Sequence, residues 1–389
     1  MVDETMREKL SVVRGQLSVV CAAQVELHKQ RTTDHGLRTI PRCGVARFFL
    51  ISLFLVCAWS AQAQGVWRRQ ASGTMAWLHA VYFLDAQRGW AVGGNGALLA
   101  TTDGGMTWAM QRRPTDDSLR DVYFADELQG WLVCERAIFQ LTSADDPRTY
   151  LMSTMDGGAT WKRVNVKGFD ANSRLVRALF DGGGRGWAFG EGGALYTTSD
   201  YGETWAPKRV PTRHLLLGGS FLDSERGWLV GAGATILQTA DGGETWRAGL
   251  VLDEARVRFT AVSFVDGRRG WAVGAGGRIF ATTDGGRTWR AQASNVLTDL
   301  LDVKFVNASE GWACGAEGTL LHTRDGGAHW TTESSGTTHP LERLYFNTVA
   351  RGWAVGFGGT IIHYNANTPA RRPELTGPKS KAQSPKSRR

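Results

Sequence analysis

From residue 66 onward, the apolar residues come in short runs separated by polar, Gly-rich turns. The segment 259–289 shows this pattern in full: the apolar runs FTAVSF, WAVG and RIFAT alternate with the turns VDGRRG, AGG and TDGG, and TW follows. Runs of this length with turns every 8–12 residues predict short antiparallel strands, four in this segment. No stretch keeps a 3.6-residue period, which excludes a helical solenoid.

Three short sequence motifs repeat along the chain at nearly constant offsets from one another. A Gly-Trp pair occurs seven times, with its Trp at positions 90, 131, 187, 228, 271, 312 and 353. A Phe precedes each of these tryptophans by seven residues, at positions 83, 124, 180, 221, 264, 305 and 346. An octet close to TTDGGRTW follows six of them, at 101–108, 154–161, 198–205, 239–246, 282–289 and 323–330.

A period of 40–45 residues with four strands per unit is the sequence form of a propeller blade. The seventh unit stops after its third strand, at GGTIIHYN (358–365), and lacks an octet. Trp67 precedes Trp90 by the interval that usually separates an octet Trp from the next Gly-Trp. The predicted fold is therefore a single all-β, seven-bladed propeller over residues 64–364, with four antiparallel strands per blade. We expect the mature N-terminal strand to supply the missing outer strand and close the ring, leaving no exposed edge.

The repeated octet indicates a structural turn rather than a catalytic motif, because a catalytic motif normally occurs once in a chain. Asp hydrogen-bonds backbone amides two residues on, and Gly supplies positive φ at no steric cost. The following Trp offers a large apolar area for packing between sheets. We assign a structural role to the six aspartates Asp103, Asp156, Asp200, Asp241, Asp284 and Asp325.

Blade two departs from this pattern. Trp131 and Trp161 are separated by 30 residues, where the other blades have 18, and we expect the excess, near 143–152, to form a projecting loop. The same blade replaces its Gly turn with CERA (134–137).

The N-terminal segment, residues 1–63, predicts an extension followed by a signal peptide. The apolar run FFLISLFLVCA (48–58) follows Arg42 and Arg47 and precedes WSAQAQ, giving a mature start near Gln64. The alternative is a buried or anchoring helix, although the run is short for a membrane span. We therefore expect an exported protein, periplasmic or extracellular, or lumenal in a photosynthetic host. The long polar segment before the signal suggests a translation start downstream of Met1.

Charge and cysteine content narrow the possible functions. The net charge of +8 comes from both ends: residues 1–64 carry eight basic and five acidic residues, and 365–389 carry seven and one, so the propeller itself is almost neutral. The tail 365–389 is rich in Pro, Lys and Ser, which predicts disorder. A nucleic-acid partner is thus not expected. The five cysteines and the scattered histidines lack ligand spacing, so we predict no metal site and no cofactor.

The octet S/T-x-D-x-G-x-T-W is similar to the Asp-box, or bacterial neuraminidase repeat. The longer units GWAVGAGGRIFATTDGGRTW and GWACGAEGTLLHTRDGGAHW resemble the photosystem II stability/assembly factor family, over about 65–364. The resemblance implies a non-enzymatic protein that binds a membrane-protein subunit during assembly. We expect a protein partner, a monomeric chain and no small-molecule substrate.

The alternative is a glycan-binding or glycan-hydrolysing Asp-box propeller of the sialidase type. Such hydrolases need two carboxylates in one cleft. The Glu residues of the propeller are scattered singly, with Glu191 and Glu317 in Gly-rich turns, and no pair can be nominated.

Arginines on the links between blades and at the starts of first strands are the best candidates for binding, because guanidinium groups suit carboxylates on a partner. We nominate Arg120, Arg177, Arg213, Arg258 and Arg343 as partner-binding residues. The competing interpretation is that acidic residues on the same links cancel this patch: Asp116, Asp117, Asp121, Asp253, Glu254 and Asp302.

Overall fold

A computed structural model describes residues 65–141, 147–164, 166, 174–252 and 256–366. The expected signal peptide and nearly all of the basic tail lie outside these residues, as do Asp253 and Glu254. Within them, seven antiparallel sheets follow one another along the chain.

Each sheet is a blade, and its strands run in sequence order from the ring axis outward, except for the outermost strands of blades 5 and 7. Blade 1 contains β2 (Leu78–Phe83), β3 (Gly89–Gly93), β4 (Leu98–Thr101) and β5 (Ala109–Met110). Blade 2 contains β6 (Ser118–Phe124), β7 (Gly130–Glu135), β8 (Thr149–Thr154) and β9 (Lys162–Arg163). Blade 3 contains β10 (Leu175–Phe180), β11 (Gly186–Gly190), β12 (Leu195–Thr198) and β13 (Ala206–Pro207). Blade 4 contains β14 (Leu216–Phe221), β15 (Gly227–Gly231), β16 (Ile236–Thr239) and β17 (Arg247–Ala248).

Blade 5 adds the short parallel strand β18 (Leu250–Val251) outside β19 (Phe259–Phe264), β20 (Gly270–Gly274), β21 (Ile279–Thr282) and β22 (Thr288–Gln292). Blade 6 contains β23 (Leu300–Phe305), β24 (Gly311–Gly315), β25 (Leu320–Thr323) and β26 (Thr331–Thr332). Blade 7 contains β27 (Leu341–Thr348), β28 (Arg351–Gly356), β29 (Thr360–Asn365) and β1 (Val66–Gln70). One-turn 3-10 segments lie at Ile138–Gln140, Glu191–Gly193, Ala275–Gly277, Ala316–Gly318 and Phe357–Gly359.

The N-terminal strand closes the ring, as the spacing of Trp67 predicted. β1 pairs antiparallel with β29, placing Trp67 opposite Tyr364. The all-β, seven-bladed fold is thereby confirmed.

The three repeated markers meet in one packing unit between blades. The Gly-Trp tryptophan of each blade stacks on the repeated Phe of the next, as Trp271 does on Phe305 with ring centroids 3.5 Å apart. The tryptophan that ends the Asp-box lies edge-on to the same Phe, as Trp330 does to Phe305. The Gly before each Trp leaves room for the Phe of its own blade: a Cβ on Gly270 would lie 2.4 Å from the Phe264 ring. The markers are therefore parts of one repeated core contact.

The sequence predicted that the inserted residues of blade 2 form a projecting loop, but part of the insertion is a strand. Thr149–Thr154 form strand β8, so residues 149–152 pair with β7 and the extra length lies between residues 136 and 148. Tyr150, Leu151 and Met152 are buried, which explains why this apolar part of the insertion joins the sheet.

Candidate functional site: the face of the interblade links

The ring has two unlike faces. The links between blades and the turns between second and third strands lie on one, which we call the linker face. The Asp-box turns lie on the other, the Asp-box face. All five nominated arginines belong to links or first strands, and the structure separates them into three groups.

Arg120 belongs to a charged cluster centred on Glu135, the last residue of β7. Arg120 Nε donates to Glu135 Oε2, and Arg174 Nε donates to Glu135 Oε1 at 2.6 Å. Burial raises the pKa of Glu135, but the hydrogen bond from Arg174 and the charge of Arg120 outweigh it and lower the pKa. Glu135 is therefore an anion that holds two guanidinium groups from adjacent blades.

The same cluster continues into blades 1 and 7. Arg120 Nη1 lies 3.2 Å from Nε2 of His79, and Nδ1 of His79 lies 2.9 Å from Oε2 of Glu342. These contacts link Arg120 of blade 2 through His79 of blade 1 to Glu342 of blade 7. On the other side Arg148 Nη1 donates to Glu191 at 3.2 Å.

Aromatic side chains extend this cluster across blade 7. The ring of Trp77 lies 5.6 Å from His79 and 5.4 Å from Phe357, and Phe357 lies 5.4 Å from His339. Trp77 and Phe357 are 42% and 46% exposed, which is high for residues of this type. We call the series His339, Phe357, Trp77, His79, Arg120, Glu135 and Arg174 the linker-face band.

Of the band, only Arg120 was nominated from the sequence, although signals were present for two of the other members. Trp77 is one of only two tryptophans that fall outside the repeated markers and Trp67. Glu135 stands in CERA, where blade 2 departs from the Gly turn of the other blades. Trp77 and Glu135 both depart from the repeated sequence pattern. A departure that is not needed for blade packing indicates a binding role.

The other nominated arginines lie elsewhere. Arg177 and Arg343 face the central channel of the ring, beside Asp121 and Asp302. Arg258 is exposed and lies 3.7 Å from Asp299, while Arg213 is exposed in the link between blades 3 and 4. The offset from the repeated Phe already separates them, since Arg177 and Arg343 alone stand three residues before it.

The acidic residues of the competing interpretation have several different partners. Asp121 Oδ2 accepts from Arg177 Nε at 3.4 Å, and Asp117 accepts from the Tyr150 hydroxyl at 2.7 Å. Asp302 accepts two backbone N–H groups. Much of the arginine charge on the linker face is therefore paired within the chain, chiefly through Glu135.

On the Asp-box face, each aspartate organises its own turn. Asp103 accepts hydrogen bonds from the hydroxyl of Thr107 at 2.6 Å, from its backbone N–H at 3.0 Å and from the hydroxyl of Thr101 at 2.7 Å. The Thr107 contacts, reinforced by Thr101, lower the pKa of Asp103 to about 2. In the last turn, at Asp325, His329 replaces the threonine and its Nδ1 lies 2.7 Å from Oδ2.

Other kinds of site are not evident in the described part of the chain. No group of three His, Cys, Asp or Glu side chains there could hold a metal ion. Cys134 and Cys314 are free and buried. No helix among these residues has the length and apolar character to cross a bilayer.

These features define a class: a seven-bladed Asp-box propeller with an arginine and aromatic band across the links of four neighbouring blades. The family model for photosynthesis system II assembly factor YCF48 matches residues 59–146, 108–213, 203–297 and 291–365. The chain belongs to that family, which confirms the resemblance found in its sequence.

Solved structures share the fold. A structure described as YCF48 bound to D1 peptide has a TM-score of 0.64 and 22% identity, covering 77% of this chain and 96% of that one. YCF48 from Cyanidioschyzon merolae has a TM-score of 0.63 and 19% identity, covering 77% and 98%. The GH74 xyloglucanase from Xanthomonas campestris scores 0.60 at 15% identity, covering 79% and 55%. A comparison with curated protein sequences found no match.

Proposed function

We propose that this chain is a non-enzymatic assembly factor that binds a protein partner, a membrane-protein subunit, on its linker-face band. Membership of the assembly-factor family supports the assembly role. We choose this surface because exposed aromatic side chains contact the arginine cluster there: Trp77 packs near His79, and His79 contacts Arg120.

The physical composition of the band suits a peptide segment with apolar and acidic side chains. Trp and Arg are enriched among residues that dominate binding energy at interfaces. Glu135 holds Arg120 and Arg174 in fixed positions, so less side-chain freedom is lost when a carboxylate binds. One solved relative was captured with D1 peptide, which supports a peptide partner here.

Glycan hydrolysis is the second candidate, because the GH74 fold is similar. A hydrolase needs a carboxyl group that stays protonated near neutral pH. Two carboxylates of the linker face, Glu135 and Glu191, share Arg148 and Arg174. The arginines lower the pKa of Glu135, which favours its ionised form, and this supports the binding role over hydrolysis.

The proposal is tested by binding of D1 peptide to the purified protein and by capture of partners from the envelope fraction of the native host. We expect Trp77→Ala with Phe357→Ala to weaken binding at least tenfold, and Arg120→Gln with Arg174→Gln to weaken it in a salt-dependent way. The matched control is Arg226→Gln with Arg269→Gln, two exposed arginines of the Asp-box face. Equal loss in the control, or full retention in both linker-face variants, would overturn the choice of surface.

Export and monomeric state are further parts of this proposal. The signal-like segment supports export, with a mature N terminus near Gln64. N-terminal sequencing of the protein from its host tests this. A product that retains residues 48–58 would contradict it. Sedimentation of the purified protein tests the monomeric state.

A further inference from the structure

The innermost strands of the seven blades surround a cavity of about 270 Å³ on the ring axis. Two positions of each strand, three residues and one residue before the repeated Phe, share the face that lines it. At the first position four blades place charged residues, Asp121, Arg177, Asp302 and Arg343, and the other three place only Ala or Gly. The charges therefore form two Asp–Arg couples, in blades 2 and 3 and in blades 6 and 7.

The two couples are not equivalent. Arg177 Nε lies 3.4 Å from Asp121 Oδ2, a weak but direct ion pair. Asp302 instead accepts the backbone N–H of Val303 at 3.0 Å and of Leu344 at 2.9 Å. Arg343 forms no hydrogen bond or close ion pair with any described residue, and its Nε is shielded from solvent. The charges of Asp302, Asp121 and Glu342 act on it from a greater distance.

Lys304 brings a third cation into the same cavity. It stands one residue before the repeated Phe, where the other blades have Tyr, Leu or Ser. Its ammonium group has no hydrogen-bond partner among the described residues, and it interacts electrostatically with Asp302 and with the like charge of Arg177. The pKa of Lys304 is lowered, first by desolvation inside the ring and then by the like charge of Arg177, while Asp302 opposes the shift. The side chain itself is open to the solvent of the channel.

The charges do not balance. Three cations, Arg177, Lys304 and Arg343, face two carboxylates, and one of these, Asp302, is occupied by backbone donors. The neighbouring Tyr82 and Tyr345 supply no anion, since each keeps its hydroxyl proton and donates it, to the carbonyls of Phe124 and Phe83 respectively. An uncompensated buried donor costs free energy, and the cavity has room for a group that accepts from it.

We propose that the central channel binds one small oxyanion, a phosphate or carboxylate group, through Arg343 and Lys304, with Arg177 adding positive potential. A guanidinium presents paired donors that match the oxygens of either group, and an ammonium adds a point charge. The cavity volume limits the ligand to an inorganic ion or a small organic acid. This site is separate from the linker-face band and does not depend on the proposed function.

The test is calorimetric titration of the full-length protein with inorganic phosphate and, separately, with succinate, in chloride buffer of constant ionic strength. We expect saturable binding of at least one probe by the wild type, and which of them binds identifies the oxyanion class. Lys304→Met and Arg343→Met should each weaken it at least tenfold. Arg269→Met, an exposed arginine on the Asp-box face, should change it less than twofold. Absence of saturable binding by the wild type, or equal loss in the control, overturns the proposal.

A second measurement separates ligand binding from a purely structural role. If Lys304 holds the ring together, Lys304→Met lowers the melting temperature in buffer without either probe. If Lys304 instead binds an anion, Lys304→Met melts at the wild-type temperature or above it, because a repulsive charge has been removed. The variant also loses the rise in melting temperature that the bound probe gives the wild type. A lower melting temperature without probe, together with an unchanged response to the probe, would overturn the proposal.

Discussion

The Asp-box aspartates of one face and the charged groups around Glu135 on the other form their polar contacts over very different distances along the chain. On the Asp-box face, Asp103 and its five counterparts bond residues two to four positions away, and nearly the same contacts recur in six turns. On the linker face, Glu135 bonds Arg174 of the next blade, and His79 bonds Glu342 from the far end of the sequence. Local, repeated contacts build the Asp-box turns, whereas the contacts around Glu135 are non-local and do not repeat from blade to blade.

The largest effect should come from the core contact that both faces share. Trp271→Ala removes a ring that stacks on Phe305 and an indole N–H that donates to the Gly326 carbonyl at 2.9 Å. We expect a loss of about 3–5 kcal/mol in the free energy of unfolding, measured by urea titration. Trp77→Ala, on the exposed band, should cost less than about 1 kcal/mol. Similar losses would show that Trp77 is part of the core rather than of a binding surface.

The second effect distinguishes the carboxylates of the two faces. Glu135→Gln leaves the guanidiniums of Arg120 and Arg174 without their shared anion, and we expect a loss of about 2–3 kcal/mol by urea titration, below the range for fully buried pairs. The matched change on the Asp-box face, Asp223→Asn, breaks an exposed pair with Arg226 and should cost about 0–1 kcal/mol. Losses of the same size would contradict the contrast between a non-local hub and a local pair.

The third effect is acid sensitivity of the Asp-box face. The pKa of Asp103 and of Asp241 is lowered to about 2 by hydrogen bonds, first from Thr107 and Thr245, against about 3.9 in an unfolded chain. Such a group stabilises the fold fully above pH 4 and progressively less as the pH falls toward 2. The melting temperature should therefore drop through this window. Asp103→Asn with Asp241→Asn should flatten the drop, and an unchanged slope would assign acid sensitivity to other groups.

The smallest effect is expected for exposed ion pairs. Arg226→Gln loses contacts with Asp223 three residues earlier, both side chains being open to solvent. We expect a small change that disappears at high salt, measured as unfolding midpoints at two salt concentrations. A larger change would mean that this turn contributes to blade packing.

Much of the fold could be predicted because its contacts repeat. The fixed offset between Phe, Gly-Trp and the Asp-box Trp reflects one packing unit, in which Phe305 lies between Trp271 and Trp330. Even ring closure by Trp67 followed from the same offset. A periodic sequence records periodic contacts directly.

The site was less accessible to sequence reasoning because its contacts are non-periodic. Nothing in the letters around Arg120 indicates that Glu135 binds Arg174 as well, since that contact depends on the packing of two neighbouring blades. The chain position of Asp302 does not reveal that its oxygens accept backbone N–H groups, or that Nε of Arg343 has no hydrogen-bond partner. Such pairings are decided by three-dimensional proximity among many candidate charges.

The N-terminal strand in blade 7 has a consequence for the order of folding. β1 leaves the ribosome before every other strand of the propeller, yet its partner β29 is the last to be made. The first strand synthesised, β1, therefore stays unpaired, with Trp67 uncovered, until the rest of the ring has formed. Such long-range pairing slows folding and leaves an unpaired edge open in the meantime. The ring can therefore close only after β29 has been synthesised.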